Sequence, residues 1–220
     1  MIKNEFQLKQ LKVNEIFYSL QGESSYVGIP TIFIRLTGCP MRCGYCDTAY
    51  AFIEGKNFTI NQIVENISKY KTKNITVTGG EPLAQKECWN LLKILSDRGY
   101  IVSLETGGAI SINKIDDRVK IILDIKTPGS GEEKNNLWSN LKLIKPKDEI
   151  KFVITDLDDY IWAKEILFKE KLNEKASILF SPVYGNIKPK DLAEWILNDH
   201  LPVRFQIQLH KMIWGQIPGV

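Results

Sequence analysis

The sequence has little net charge and no long apolar run. Its 220 residues include 29 Lys and Arg against 26 Asp and Glu, a formal net charge of +3. Because the basic residues are scattered in short runs typical of solvated faces, we expect no nucleic-acid partner. No stretch approaches the length of a membrane span, and residues 1–6 lack the apolar region of a signal peptide. These absences predict a cytoplasmic protein with no membrane contact.

Internal repeats, linkers and low-complexity segments are also missing, and strand patterns instead alternate with helix patterns almost to the end. Strands are predicted at residues 31–36, 75–78, 100–105, 119–126, 149–154, 178–182 and 203–209. Helices are predicted at residues 61–70, 83–97, 136–144, 157–172 and 190–198. Thr59 and Gln62 are expected to form a capping box before the first helix.

Repeated strand–helix units imply a parallel sheet with right-handed crossovers. About six such units are too few to close an eight-stranded barrel, so we predict an α/β fold in the form of an open, partial (β/α)6-type barrel. A chain of 220 residues with 44% hydrophobic side chains is long enough to build a sizeable core. We therefore expect a single domain over residues 1–220.

Only four cysteines are present, and three of them share one short segment. Cys39, Cys43 and Cys46 follow a C-x3-C-x2-C spacing. A closed structural zinc site or an ordinary iron–sulfur site takes four protein ligands, so three thiolates leave one iron of a cubane cluster free for a small molecule. Cys88 is the remaining cysteine, and the chain therefore cannot hold a second cluster on cysteines.

Two other interpretations of this segment stay open at this point. The three cysteines could be ordinary buried thiols, or they could belong to a zinc site with Cys88 or His210 as the fourth ligand. Clustered cysteines in an intracellular enzyme favour metal or redox chemistry. Cys88 lies in a helical pattern with apolar residues on one face, and we expect it to serve in packing.

A second motif, Gly79-Gly80-Glu81-Pro82, follows a predicted strand. Its two glycines allow the backbone to approach a ligand closely, and free carbonyl groups there can accept hydrogen bonds from an ammonium group. Together with the cysteine spacing, this motif resembles the radical S-adenosylmethionine (SAM) enzymes. The resemblance implies a [4Fe-4S] cluster on the three cysteines, with SAM bound to the free iron.

The predicted topology places the polar motifs at one end of the barrel. Ligands of parallel α/β sheets bind beyond the carboxyl ends of the strands. Five motifs lie at or directly after such strand ends. They are the cysteine segment, Gly79-Gly80-Glu81, Glu105, Asp124-Ile125-Lys126 and Ser181. We therefore expect these residues to meet in one site.

Further motifs resemble one family within that superfamily, the 7-carboxy-7-deazaguanine synthases. They are Leu20-Gln21-Gly22-Glu23, Arg35, Cys46-Asp47-Thr48, Asp124-x-Lys126, residues 149–153 and residues 208–211. The resemblance implies conversion of 6-carboxy-5,6,7,8-tetrahydropterin to 7-carboxy-7-deazaguanine with loss of ammonia, on the route to queuosine and other deazapurines. In that chemistry, reductive cleavage of SAM gives a 5′-deoxyadenosyl radical that removes hydrogen from C6 of the pterin.

The same resemblance implies ligands, metals and partners. The substrate residues are Leu20, Gln21, Gly22, Glu23, Arg35, Thr78 and His210. The SAM residues are Tyr45, Cys46, Asp47, Gly79, Gly80, Glu81, Ser103, Glu105, Asp124, Ile125, Lys126 and Ser181. Thr48 is implied as a ligand of Mg²⁺, a hard ion that prefers oxygen. A flavodoxin- or ferredoxin-type electron donor and a homodimer are implied as well.

The nearest alternative is a glycyl-radical-enzyme activating enzyme, which is also small and SAM-dependent. Such an enzyme acts on a protein, so it needs an open groove for a peptide loop and no magnesium ligand. The Leu20–Glu23 element and Thr48 disfavour it. A zinc-dependent interaction module without catalytic activity is the alternative from another class. Whether the carboxylate of Val220 contacts the substrate, as terminal carboxylates do in some relatives, is left open by the sequence.

Overall fold

A nine-stranded mixed sheet forms the centre of the protein, which we describe from a computed structural model over residues 9–220. The expectation that residues 1–6 carry no signal peptide lies outside this range. The strands are β1 (Gln10–Leu20), β2 (Pro30–Leu36), β3 (Lys56–Thr59), β4 (Asn74–Gly79), β5 (Ile101–Thr106), β6 (Lys120–Ile125), β7 (Glu149–Ile154), β8 (Ser177–Pro182) and β9 (Arg204–Phe205). The helices are α1 (Ile60–Ile67), α2 (Cys88–Asp97), α3 (Leu157–Lys169), α4 (Pro189–Asn198) and α5 (Leu209–Trp214).

The sheet order is β3-β1-β2-β4-β5-β6-β7-β8-β9, and the two ends do not pair. All neighbours from β2 to β9 are parallel, whereas β1 pairs antiparallel with β2 and with β3. The predicted α/β fold with an open, partial barrel is therefore confirmed. The parallel strands bring their carboxyl ends to one edge, which is where the polar motifs were expected to meet.

The core lies between the parallel strands and the helices that cover them. Ile34, Val77, Leu104, Phe152 and Phe180 are fully buried. In β4 and β5 apolar residues alternate with polar ones, so one face of each strand packs against the apolar core and the other face is polar. None of the helices within residues 9–220 has both the length and the apolar character needed to cross a bilayer.

The predicted capping box at the start of α1 is confirmed. The Thr59 hydroxyl accepts a hydrogen bond from the Gln62 backbone N–H, and the Gln62 side chain accepts one from the Thr59 N–H. Two backbone donors that the helix leaves without partners are thereby satisfied. The helix buries Ile60, Ile63 and Ile67 against the sheet.

The helix predicted at residues 83–97 is wrong in its first part. A short 3-10 turn at Pro82–Ala84 is followed by extended backbone at Gln85, and α2 begins at Cys88. The Gln85 side chain donates to the Lys12 and Thr37 carbonyl oxygens and accepts from the Lys12 N–H. This residue joins β1 to the end of β2, and that role keeps it out of a helix.

The helix predicted at residues 136–144 is also wrong, because only a 3-10 turn forms at Trp138–Lys142. Asn136 exchanges two hydrogen bonds with the Lys126 backbone. Asn140, which is buried, donates to the Gly108 and Ile110 carbonyl oxygens and accepts from the Ile112 N–H. Asparagine side chains that bond backbone groups compete with helix formation.

Both ends of the sheet differ from the sequence prediction. The strand predicted at residues 203–209 is limited to the two residues of β9, and the chain then enters α5, which was not predicted. Strands β1 and β3 were not predicted either. A bulge in β1 between Val13 and Glu15 breaks its alternation, and such a break hides the two-residue period that identifies a strand.

We predict that Asn140→Ala destabilises the fold. The substitution removes three hydrogen bonds and leaves buried backbone groups without partners, so the free energy of unfolding should fall by about 2–3 kcal/mol. Urea unfolding of the anaerobic protein measures the change. Asn173→Ala is the control because Asn173 is exposed. Equal stability of the two variants would contradict this account of the segment.

Candidate active site

A cavity of about 640 Å³ opens at the carboxyl ends of the parallel strands. Most residues predicted for the site line this cavity, namely Leu20, Gln21, Gly22, Glu23, Arg35, Cys39, Cys43, Tyr45, Cys46, Asp47, Thr48, Thr78, Gly79, Gly80, Glu105, Asp124, Lys126 and His210. Glu81, Ser103, Ile125 and Ser181 do not line it. The expected convergence of the motifs at one end of the sheet is therefore present in the structure.

The cysteine segment is held by a backbone hydrogen bond to Ser130 and by the Arg42 side chain. The Gly44 N–H donates to the Ser130 carbonyl oxygen at 3.0 Å. The Arg42 guanidinium donates to the carbonyl oxygens of Cys39 and Met41 and lies 4.3 Å above the Phe52 ring. Because these contacts use main-chain and Arg42 atoms, they leave the thiol groups available as ligands.

The donor set suits an iron–sulfur cluster. Cys39, Cys43 and Cys46 are unpaired, partly exposed thiols on the cavity wall. Soft thiolates select iron–sulfur clusters and zinc over hard ions. In the part of the chain that the structure describes, no three His, Cys, Asp or Glu side chains are already arranged around a metal position. A cubane binds each thiolate at a different iron, so a cluster does not need the three sulfur atoms gathered around one metal position.

The glycines at the end of β4 lie directly against the cysteine segment. The Glu81 N–H donates to the Gly38 carbonyl oxygen at 2.8 Å, and the Gly80 N–H donates to that of Leu36 at 3.2 Å. A Cβ atom at Gly79 would overlap the Leu36 carbonyl oxygen, and one at Gly80 would overlap that of Gly38. Gly79 also has a φ of 146°, which favours glycine. Glycine is thus required here for close packing of two loops.

Glu81 lies behind the cavity wall and is fully buried. Its carboxylate accepts hydrogen bonds from the Leu83 and Gly107 N–H groups and from the Thr106 hydroxyl. Burial raises the pKa of Glu81, although these hydrogen bonds act in the opposite direction. The contacts join the ends of β4 and β5, so Glu81 shapes the cavity wall through its neighbours.

Ser103 and Ser181 are likewise buried outside the cavity lining. The Ser103 hydroxyl is hydrogen-bonded to the Thr76 hydroxyl at 2.9 Å. The side chain of Thr76 in turn accepts from Gln21 at 3.0 Å. These three side chains form a polar layer beneath the cavity floor, and Ser103 contacts the site through Gln21.

Gln21 uses its amide group within the protein. Its Nε2 donates to Thr76 and, at 3.2 Å, to Glu105, and its Oε1 accepts from the Glu23 N–H. The Thr78 hydroxyl donates to the other Glu105 oxygen at 2.9 Å. Glu105, predicted among the SAM residues, thus lies among the residues predicted for the substrate. Burial raises the pKa of Glu105, and the charge of Glu23 raises it further.

Arg35 lies between an acid and two aromatic rings. Its Nε is 2.7 Å from a Glu15 carboxylate oxygen, and the Tyr50 hydroxyl donates to the same oxygen. The guanidinium lies 5.6 Å from the centre of the Phe17 ring and 5.8 Å from that of Tyr50. Within residues 9–220 its hydrogen bonding involves Nε alone, which leaves the two terminal nitrogens for a ligand.

Lys151 was missed in the sequence and lies at the centre of the charged cavity wall. Its Nζ is 2.7 Å from a Glu23 oxygen and 3.7 Å from an Asp124 oxygen, and Lys126 contacts the same Asp124 oxygen at 2.9 Å. A lysine between the buried Ile150 and Phe152 was the sequence signal that could have identified it. The other Asp124 oxygen and the Tyr45 hydroxyl are buried without hydrogen-bond partners within residues 9–220.

The carboxyl-terminal segment closes one side of the cavity. The Leu209 N–H donates to the Gly22 carbonyl oxygen, and the His210 ring packs so closely on Gly22 that a Cβ there would overlap it. Burial lowers the pKa of His210. Residues 215–220, including the terminal Val220, also line the cavity.

Asp47 connects the cysteine segment to α5. Its carboxylate accepts from Lys211 at 2.6 Å and from Gln208 at 3.3 Å. Burial raises the pKa of Asp47. The positive charge of Lys211 and its hydrogen bond outweigh that effect, so the pKa of Asp47 is lowered. The neighbouring Thr48 hydroxyl lies 3.7 Å from the Cys46 sulfur. Asp47 therefore has a partner on the carboxyl-terminal helix in addition to its predicted place beside SAM.

Comparison with known proteins agrees with these features. The family model described as the Radical SAM superfamily matches residues 33–128. A 7-carboxy-7-deazaguanine synthase from Chlorobaculum tepidum is 46% identical over 93% of this chain and 94% of its own. A 7-carboxy-7-deazaguanine synthase from Koribacter versatilis is 40% identical over 93% of this chain and 97% of its own. The crystal structure of QueE from Escherichia coli matches the fold with a TM-score of 0.76, at 22% identity over 94% of this chain and all of that one.

We predict that Gly80→Ala prevents cluster loading. The new methyl group would displace the Gly38 carbonyl oxygen and Cys39, so iron per chain after anaerobic reconstitution should fall at least about fivefold. Gly99→Ala is the control. A Cβ at Gly99 meets nothing within 4 Å, and its positive φ of 77° costs stability without touching the cysteine segment. Full iron content in Gly80→Ala would contradict the close packing of the two loops.

Proposed function

The chain belongs to the 7-carboxy-7-deazaguanine synthase family of radical SAM enzymes, and we propose that its cavity converts 6-carboxy-5,6,7,8-tetrahydropterin to 7-carboxy-7-deazaguanine with loss of ammonia. One observation carries the proposal. A single cavity has a thiol-and-glycine wall suited to a cluster and SAM, and beside it a wall of carboxylates and cations suited to a carboxylated pterin. The radical chemistry requires the two ligands to be neighbours.

Cys39, Cys43 and Cys46 would hold a [4Fe-4S] cluster, which with SAM supplies the one-electron chemistry of the family. The protein contributes the placement of both ligands. Backbone groups at Gly79 and Gly80 face the cavity beside the cysteines, and the unpartnered Asp124 oxygen offers an acceptor for a hydroxyl or amine of SAM. Tyr45 adds an aromatic surface on the same wall.

The neighbouring wall of carboxylates and cations matches the chemistry of the pterin. Its aminopyrimidinone edge presents N–H donors, which carboxylates such as Glu23 and Glu105 accept. The free terminal nitrogens of Arg35 can bind the substrate carboxylate in a bidentate manner. Phe17 and Phe33 stack at 4.8 Å on the same wall and offer a flat apolar surface to the ring. Gln21 orients the Glu105 carboxylate through Nε2 and holds the Glu23 backbone through Oε1.

We also propose Thr48 as a ligand of Mg²⁺, with substrate oxygens and water completing the coordination. Thr48 lines the cavity, and its hydroxyl lies 3.7 Å from the Cys46 sulfur. Magnesium binds oxygen donors and retains water, so one hydroxyl with ligand oxygens is a sufficient site. The support comes from the position and chemistry of the hydroxyl group.

The remaining expectations extend this proposal to the whole protein. We propose that the chain acts as a single domain, since one sheet and one core extend through the described residues. A flavodoxin- or ferredoxin-type donor would supply the electron, and a homodimer in the cytoplasm would be the working form. The glycyl-radical-enzyme activating enzyme is disfavoured, because residues 215–220 line the cavity where a peptide loop would need an open groove.

Anaerobic turnover tests the proposed function. We predict that the reconstituted protein converts 6-carboxy-5,6,7,8-tetrahydropterin with SAM and dithionite. Cys39→Ala, Cys43→Ala and Cys46→Ala should each lose the cluster and at least about 99% of SAM cleavage, because two thiolates do not hold a cubane. Cys88→Ala is the control because Cys88 is fully buried in α2. A cluster-loaded protein without turnover of this pterin would contradict the proposal.

The magnesium proposal predicts a separate result. After chelation, turnover should rise severalfold on addition of Mg²⁺, and Thr48→Ala should lose most of this response while it retains iron and SAM cleavage. Thr48→Ser keeps the hydroxyl and serves as the matched control. Wild-type turnover that does not respond to Mg²⁺ would remove Thr48 from a metal site and leave the rest of the proposal standing.

A further inference from the structure

The proposed function assigns no role to the buried ammonium group of Lys151. Lys151 lies in β7 between Ile150 and Phe152, which are fully buried, and its own side chain is 12% exposed on the cavity side. Placing an ammonium group in such a position costs free energy unless charged partners surround it. The partners of Lys151 therefore indicate what the charge does.

Its closest partner is Glu23, in the loop after β1. One Glu23 oxygen is 2.7 Å from the Lys151 Nζ, and the other accepts a hydrogen bond from Gln208 at 2.7 Å. The two contacts approach different oxygens, so they fix the plane of the carboxylate. A carboxylate fixed on both oxygens still has lone pairs available for further N–H donors.

Titratable groups on three other elements face this pair. Glu105 faces it from β5, Asp124 from β6 and His210 from α5. Asp124 has a second cation in Lys126, whose Nζ is 2.9 Å away. Glu23 has no equivalent second cation at salt-bridge distance in the described part of the chain. The loss of Lys151 would therefore affect Glu23 more than Asp124.

We infer that Lys151 is a positioning residue that holds the Glu23 carboxylate charged and oriented toward the aminopyrimidinone edge of the pterin. The inference rests on the proposed function, which places the pterin at this wall. Without Lys151, Asp124 among the predicted SAM residues still has Lys126 as a partner. Lys151 therefore acts on the site through Glu23 and not through SAM. Substitution of Lys151 should therefore separate the affinities for the two ligands.

The titration behaviour of the pair agrees with this geometry. Burial raises the pKa of Glu23. The positive charge of Lys151 and its hydrogen bond outweigh that effect, so the pKa of Glu23 falls to about 2. Burial lowers the pKa of Lys151, and the surrounding carboxylates raise it well above its ordinary value. Both groups are thus charged throughout the neutral range.

Equilibrium binding to the reconstituted enzyme tests the inference. The probes are 6-carboxypterin, a fluorescent oxidised analogue of the substrate, and radiolabelled SAM in equilibrium dialysis. Lys151→Met should weaken binding of 6-carboxypterin about 10- to 100-fold, as expected for loss of a charged hydrogen bond, and should change SAM binding less than about threefold. Lys147→Met is the matched control, since it removes an ammonium 3.0 Å from the buried Asp148 outside the cavity lining.

A double-mutant cycle distinguishes positioning from a general loss of structure. If Lys151 acts through Glu23, the variant Lys151→Met/Glu23→Gln should bind 6-carboxypterin no more than about threefold more weakly than Glu23→Gln alone. Wild-type affinity for 6-carboxypterin in Lys151→Met, an equal loss of SAM affinity, or additive losses in the double variant would each overturn the inference. A wild-type enzyme that neither binds 6-carboxypterin nor turns over the substrate would contradict the proposed function instead.

Discussion

Backbone contact between the Gly79-Gly80 turn and the cysteine segment is the constraint on which the site depends. The two loops follow β2 and β4, which are adjacent parallel strands, so their separation is set by the spacing of the sheet. At that spacing, hydrogen bonds to the Leu36 and Gly38 carbonyl oxygens leave no room for a Cβ atom. The contact fixes how far the thiol groups lie from the backbone edge that would face SAM.

A second level of organisation is electrostatic. Lys126, Asp124, Lys151 and Glu23 form a chain of contacts of 2.9, 3.7 and 2.7 Å from the cluster side of the cavity to the substrate side. Alternating charges offset the cost of burying each one, whereas any member left alone would be strongly destabilising. The wall is therefore prepared for charged ligands before they arrive, which reduces the reorganisation that the reaction requires.

The sequence predicted the parts of the site that follow from local chemistry, and it did not predict those that depend on long-range contacts. The cysteine spacing, the two glycines and the apolar strands each have a local physical reason, and the structure places them as expected. Gln21 was predicted for the site, but its hydrogen-bond partners were not, because they lie far away in the chain, as do those of Gln85 and Asn140, and nothing in the neighbouring sequence reveals them. Lys151 was overlooked for the same reason, although a lysine within an apolar strand is a visible anomaly.

The central claim is that SAM and the pterin occupy one cavity in contact with each other. Isotope transfer tests it most directly. With 6-carboxy-5,6,7,8-tetrahydropterin deuterated at C6, we predict that deuterium appears at the 5′ carbon of the adenosyl group, in 5′-deoxyadenosine or in SAM re-formed when a hydrogen returns to the product radical, as measured by mass spectrometry. Formation of the deazaguanine product with no deuterium in either 5′-deoxyadenosine or SAM would contradict this claim.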